Sequence, residues 1–245
     1  MNRSDNVEVH GIWRIMPSAS ISEIIGQSGF QFQILDCEHG AYDFRSLQDD
    51  IRGCHLVNCK AYVRVSGLNV VEVQRCLDLG ADGIVFPQLK NYSDFNTATL
   101  MVQYPPYGIR GYNPFVPAGG YGFDNIHEKE ISCIGILETL SAVNDLDRIL
   151  SLDKLNTIYI GVYDLSAQLG CIGVMDSPKL LKLVDEIIDK CRKSSKQVSL
   201  MINSEADYQK YKSKGATSFV HTIDSHQIKT AFKRLLSNLN QISNG

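Results

Sequence analysis

The sequence is that of an α/β protein folding as a (β/α)8 TIM barrel, one domain spanning residues 1–245, and three observations predict this. Short β-branched runs alternate with longer helical patterns about eight times, which calls for parallel strands joined by crossover helices. A chain of 245 residues is of ordinary length for one such barrel. Neither G-x-G-x-x-G nor G-x-x-x-x-G-K-[ST] follows any candidate strand, so an open nucleotide-binding sheet has no local support and is only the fallback.

The candidate strands lie at 9–15, 32–36, 60–65, 83–87, 132–137, 157–161, 197–201 and 218–221. Each is too short for a good helix, and most are bounded by Gly, Pro, Asp or Asn. Between them the apolar period changes from two to 3.6. Ser20 and Glu23 suit a capping box, with Gly29 as the stop signal. Phe44, Leu47, Ile51 and Cys54 make one helical stripe, and Val70, Val73 and Leu77 the next. Ser177-Pro178 opens the clearest helix, since Ser can cap and Pro suits the first helical position; its stripe runs through Leu181, Val184, Ile188 and Cys191. Ser204 with Asp207 starts another helix that ends near Gly215. A last one begins at Ser225 and carries Ile228, Phe232, Leu235 and Leu239.

One segment breaks the rhythm. Residues 104–130, YPPYGIRGYNPFVPAGGYGFDNIHEKE, are rich in Gly, Pro and aromatics and too long for an ordinary connection. Following a helix and preceding a strand, they fall at the end of a barrel away from its active face. There they form either a surface loop or a surface that meets the active face of a neighbouring subunit.

Composition narrows the classes. The 44% apolar content supplies a sizeable core, and the net charge of −3 gives no general attraction to nucleic acid or anionic membranes. No apolar run is long enough to span a bilayer, and residues 1–8 are polar rather than signal-like. Seven cysteines without a C-x-x-C pair read as free thiols of a reducing compartment, so a cytoplasmic location is expected.

Catalytic groups of such a barrel sit at the C-terminal ends of its strands. The second strand ends in Asp36-Cys37-Glu38-His39, and the third carries Arg64. Asp78 lies just before the fourth, Glu138 ends the fifth, and the sixth runs into Gly161-Val162-Tyr163-Asp164. Singly, each has a plain structural explanation: a carboxylate after a strand is often a helix cap, and an Arg there is often a surface residue. Together they converge on one mouth. Glu138 and Asp164 supply hard oxygen ligands for Mg2+ or Mn2+, with Co2+ or Zn2+ as further candidates, and leave vacant positions for a bidentate 2-oxo acid. Arg64 suits stabilisation of an enolate oxyanion. His39 suits the role of base, directly or through water, with Asp78 or Asp36 raising its basicity. No strand carries a Lys near its C-terminal end, which argues against a Schiff-base aldolase.

The stretches ILDCEHG at 34–40, YVRV at 62–65, CLDLGADGIVFP at 76–87, QYPPYGIRG at 103–111, ILET at 136–139 and IGVYDLSAQLG at 160–170 resemble the HpcH/HpaI family of metal-dependent class II pyruvate aldolases. The resemblance covers essentially the whole chain. It implies a divalent-metal-dependent carbon–carbon lyase that cleaves a 4-hydroxy-2-oxo acid to pyruvate, or a related 2-oxo acid, and an aldehyde. It also implies His39 as proton acceptor, Asp78 raising its basicity, Arg64 as transition-state stabiliser, and Glu138 and Asp164 as metal ligands. A homo-oligomer is implied as well, a hexamer in which the segment after Ser225 packs on a neighbour. The chain departs from the family pattern around this set. Ile136 stands where Gln usually contacts substrate, Val162-Tyr163 replaces Pro-Ala, and Gly67-Leu68-Asn69 replaces Trp-Asn-Asp. After GIRG, a Pro- and Gly-rich stretch at 112–122 replaces small and basic residues. Arg64, Tyr163, Asp164 and Ile136 are therefore the expected substrate contacts, in a remodelled pocket. Another enolate-forming lyase or decarboxylase acting on a related oxo acid or thioester stays open, as does a non-catalytic barrel.

Overall fold

A computed structural model describes residues 7–242, those at 128 and 239–242 by backbone only. Eight parallel strands close into a barrel in chain order: β1 (Val9–Arg14), β2 (Phe32–Asp36), β3 (Lys60–Arg64), β4 (Gly83–Phe86), β5 (Ser132–Leu137), β6 (Thr157–Ile160), β7 (Gln197–Met201) and β8 (Ser218–Ile223). Among the described residues ten α-helices return the chain: α1 (Ala19–Gln27), α2 (Phe44–Leu56), α3 (Val70–Asp78), α4 (Tyr92–Met101), α5 (Leu140–Asn144), α6 (Leu146–Ile149), α7 (Val162–Gln168), α8 (Pro178–Lys193), α9 (Glu205–Lys214) and α10 (Asp224–Ile242). No helix among the described residues is long and apolar enough to cross a membrane.

The expected strands all form, most of them within a residue of their expected ends, and the fallback open sheet is excluded by the β1–β8 pairing that shuts the barrel. Helix starts are less regular. The first helix is capped by Ser18, whose hydroxyl accepts from Ile21 N–H, so the expected Ser20–Glu23 box lies within the helix instead. Ser177 precedes Pro178 as expected but makes no side-chain cap, whereas Ser204 accepts from Asp207 N–H at 3.1 Å. The last helix starts at Asp224, one residue before the expected Ser225; the Leu239 side chain of its expected stripe lies outside the described residues.

Side chains alternate in and out along each strand. Trp13, Phe32, Ile34, Val85, Ile134, Ile136, Tyr159 and Val220 fill the barrel interior, while the larger cluster lies between the strands and the helices. Gly11 is required by this packing: a Cβ there would sit 2.3 Å from the Phe32 ring.

Sequence reasoning overlooked a buried charge network. Arg14, fully buried at the end of β1, donates from Nε to Asp224 at 2.9 Å, from Nη1 to Ser22 and Gln33, and from Nη2 to the Met16 and Ser18 carbonyls. Asp50 lies 3.5 Å from it and accepts from Ser18 N–H and from the Tyr42 hydroxyl. The network joins β1, β2, α1, α2 and the start of α10. Removing one member leaves buried opposite charges without their partner, so Arg14→Ala is expected to destabilise the protein by about 3–5 kcal/mol, read from urea denaturation. A change under about 1 kcal/mol would show that solvent reaches the network.

Candidate active site

The same alternation selects the residues of the mouth. In β2, Phe32 and Ile34 point inward, and the next residue of that series is Asp36; in β3, Tyr62 is followed by Arg64; after Ile134 and Ile136 on β5 comes Glu138. Beside them, the loop after β2 brings His39, and the first turn of α7 brings Tyr163 and Asp164. All line one cavity of about 310 Å³ whose apolar walls include Trp13, Ile136 and Tyr159. Of the expected site residues, Asp36, His39, Arg64, Ile136, Glu138, Tyr163 and Asp164 thus share a single space.

Asp78 does not. It ends α3, immediately before β4 begins, and so lies at the opposite end of the barrel. Its carboxylate faces Arg110 at 3.4 Å, and burial pushes its carboxyl above the usual range against the pull of that guanidinium. The expected support of His39 by Asp78 is therefore not made within one protomer.

Asp36 also has a different role from the one expected. It accepts from Arg64 Nε at 2.8 Å and from Arg64 Nη2, from Trp13 Nε1 at 3.0 Å, and from the backbone N–H groups of Glu38 and His39. Although burial alone would raise its carboxyl, these donors hold it below the usual range, Arg64 foremost. Its contact with His39 is thus to the backbone, not the imidazole. The carboxylate facing the imidazole is Glu38, 4.0 Å from His39 Nε2, and the His39 side chain is 72% exposed at the rim.

Glu38 was also passed over, as were Trp13 and Gln88. Arg64 lies between two carboxylates, with Nη1 2.9 Å from Glu38, and its guanidinium sits 4.7 Å over the Trp13 ring. Gln88 follows β4 with a left-handed backbone (φ 59°), uncommon for a residue with a side chain. In that conformation its N–H reaches Glu138 Oε1 and its amide donates to Glu38 at 2.7 Å, so one residue joins both acids. Trp13 was detectable as the only Trp of the chain, at a strand end. The backbone of Gln88 left no signal in its residue type.

Glu138 is buried, and its carboxyl is pushed up by that burial; the Gln88 N–H opposes the shift, while nearby Asp164 and Glu38 add to it. Gly161 permits this position, because a Cβ there would meet the Glu138 Cβ at 2.5 Å. Gln168 fixes the two acid-bearing segments together: its amide donates to the Glu138 carbonyl and accepts from Leu140 N–H. Asp164 sits in the first turn of α7, where the helix dipole favours an anion, and it does not cap the helix. The donor set fits a hard divalent cation, since two acids and surplus negative charge face open space. Among the described residues no group of three or more His, Cys, Asp or Glu is placed to bind a metal.

A closed barrel with acids and a clamped arginine at its mouth defines the class as a barrel enzyme, and comparison with known proteins narrows it to a lyase. The HpcH/HpaI aldolase/citrate lyase family model matches residues 10–231, and the chain belongs to that family. It is 32% identical over 216 residues to the hydroxypyruvate/pyruvate aldolase of Agrobacterium fabrum, covering 86% of this chain and 80% of that protein. It is 30% identical to the 2-dehydro-3,6-dideoxy-6-sulfogluconate aldolase of Pseudomonas putida, covering 74% and 73% of the two chains. In fold it matches an HpcH/HpaI aldolase/citrate lyase family protein from Burkholderia cenocepacia with a TM-score of 0.92 at 22% identity, over 97% and 96% of the two chains.

Proposed function

We propose that the protein is a class II aldolase that cleaves, or forms, a 4-hydroxy-2-oxo acid through the enolate of pyruvate or a related 2-oxo acid. The observation that carries this is Arg64, held by Asp36 and Glu38 across one cavity from Glu138 and Asp164. Glu138 and Asp164 are the residues that would hold Mg2+ or Mn2+, and such an ion supplies Lewis-acid stabilisation of negative charge on an enolate oxygen. Arg64 has five N–H donors, of which two are hydrogen-bonded to Asp36, while its Nη1 is ion-paired with Glu38. The donors not spent on Asp36 suit a developing oxyanion in a site with apolar walls. His39, at the rim, takes the aldol hydroxyl proton as the carbon–carbon bond breaks, with Glu38 stabilising the imidazolium. Trp13, Ile136 and Tyr159 keep water from the enolate until it is protonated.

The test is deuterium exchange into the pyruvate methyl group by proton NMR, with Mg2+ or Mn2+ and then with excess chelator. Exchange that requires the ion and is lost in Arg64→Ala supports the reading; absence of exchange with every divalent ion and several 2-oxo acids rejects it. Tyr163 lines the cavity where the resemblance has Ala, and its ring narrows the approach. Tyr163→Ala is expected to accept bulkier oxo acids and aldehydes, with kcat/KM for the largest rising about tenfold, a gain of about 1.4 kcal/mol. An unchanged substrate profile would remove the ring from the specificity argument.

Homo-oligomer formation belongs to the same reading. Phe232, Leu235 and Leu236 of α10 are 67%, 62% and 62% exposed, an apolar set that a second copy of the chain would cover. The hexamer implied by the resemblance would do so. The seven free thiols suit the reducing cytoplasm.

A further inference from the structure

The charge of the cavity is confined to one side. Asp36, Arg64 and Glu138 stand at the ends of β2, β3 and β5, and Asp164 follows β6 in the first turn of α7. The other side is closed by β7, β8 and β1, three neighbours in the sheet, which contribute Met201, Ile223 and Ile15. These three side chains are half-buried and pack against the inner cluster of the barrel, to which Trp13 belongs. Their remaining exposed surface faces the cavity.

This apolar side depends on an irregularity in β8. Gly11 pairs with Val220 and Trp13 with Ile223, so β8 uses three residues where β1 uses two. Strict alternation from Ser218 and Val220 would turn Thr222 toward the cavity. The extra residue resets the alternation and brings Ile223 there instead, as a bulge re-aims a side chain beside a site. The Thr222 hydroxyl donates to the Ile223 carbonyl at 3.3 Å. The polar residues that follow β7 are diverted as well, since Asn203 and Ser204 line a separate cavity with Tyr208 and His221. A substrate group resting on this side therefore meets hydrocarbon.

We propose that the aldehyde used by the enzyme carries a hydrocarbon chain, seated against Ile15, Met201 and Ile223. In the aldolase reading, on which this rests, the charged side holds the oxo acid, and the chain of the electrophile is left the apolar side. The enolate carbon adds to the aldehyde carbon; the carbon–carbon bond forms, the C=O π electrons move to oxygen, and that oxygen takes a proton to become the 4-hydroxyl. Cleavage is the reverse. The seat acts on none of these bonds and selects only what lies beyond the aldehyde carbon. A methylene placed there leaves water, which is favourable. A carboxylate or hydroxyl placed there loses its hydration without gaining a partner.

The experiment has two arms on the full-length protein. In the first, pyruvate and Mn2+ are supplied with butanal or with succinic semialdehyde, which differ in a terminal methyl or carboxylate. The expected kcat/KM is at least about tenfold higher for butanal. Met201→Gln and Ile223→Thr should each cut that preference to about threefold or less. Both rates are taken relative to pyruvate methyl exchange in the same preparation, so that a general loss of activity cancels. The second arm needs no chemistry: emission of Trp13, the only tryptophan and part of the cavity wall, is titrated with 1-hexanol and with 1,6-hexanediol. Half-saturation is expected at an at least about fivefold lower concentration of 1-hexanol, with the advantage lost in both variants.

Equal kcat/KM for the two aldehydes, a preference for succinic semialdehyde, or a butanal preference unchanged in both variants would overturn the proposal. Equal binding of the two alcohols would overturn the seat itself. That outcome is told apart from failure of the aldolase reading, which shows instead as the absence of metal-dependent exchange of pyruvate methyl protons.

Discussion

Glu138→Gln is expected to abolish metal-dependent exchange of pyruvate methyl protons and, in the same variant, to raise the thermal midpoint of the metal-free protein. The first effect follows from losing one of the two acids proposed to hold a divalent ion; a loss of about 10³-fold is expected, as for removal of a principal electrostatic stabiliser. The second follows from the direction of the pKa shift. Burial, Asp164 and Glu38 hold the folded carboxyl above its ordinary range, so it binds a proton more tightly in the folded than in the unfolded chain. Its stabilising contribution is present below the unfolded pKa and is lost as pH rises through the raised folded value. Once ionised, the group is a liability that the neutral amide removes. At this chain length about 1 kcal/mol moves the midpoint by about 2–4 °C. Added Mn2+ should raise the midpoint of the unsubstituted protein and leave that of the variant nearly unchanged. Equal shifts in both would place the ion elsewhere.

Arg64→Lys should be almost as damaging as Arg64→Ala. Lysine keeps the charge but not the planar fork that engages Asp36 through two nitrogens while leaving donors for substrate. The expected loss in exchange rate is about 10²–10³-fold for either variant, or about 2.7–4 kcal/mol of barrier. The two should differ in stability. Alanine leaves the buried Asp36 without its cation, at a cost of about 3–5 kcal/mol, whereas lysine still neutralises it. Urea midpoints and exchange rates measured on the same preparations separate these effects. A lysine variant with near-normal exchange would show that charge alone suffices.

The barrel was legible in the sequence because most strands are buried on both faces and so read as short β-branched runs with sharp boundaries. The mouth residues followed from position, since Asp36, Arg64 and Glu138 each complete an inward-facing series on their strands. Connections between these residues were harder to read. Asp36 was expected to serve His39, but its lone pairs are taken by Arg64, Trp13 and backbone N–H groups, and it is Glu38 that faces the imidazole. Gln88 acts largely through a backbone N–H in an unusual conformation, which no side-chain pattern encodes. Asp78 was visible as a residue, yet strand order places it at the far end of its own barrel. Arg14 went unread because a lone Arg within an apolar strand gives no hint that Asp224, two hundred residues away, will neutralise it.

That pairing makes the terminal helix a lever with its fulcrum in the active-site wall. Asp224 is its first residue, bonded to Arg14 and to the N–H groups of Ile15 and Met16, and the flanking Ile15 and Ile223 line the cavity. Beyond this root the outer arm carries its apolar side chains into solvent. Torque on that arm is borne first by Ile223 and Ile15, so the rigidity of the substrate chamber is inherited from whatever clasps the helix.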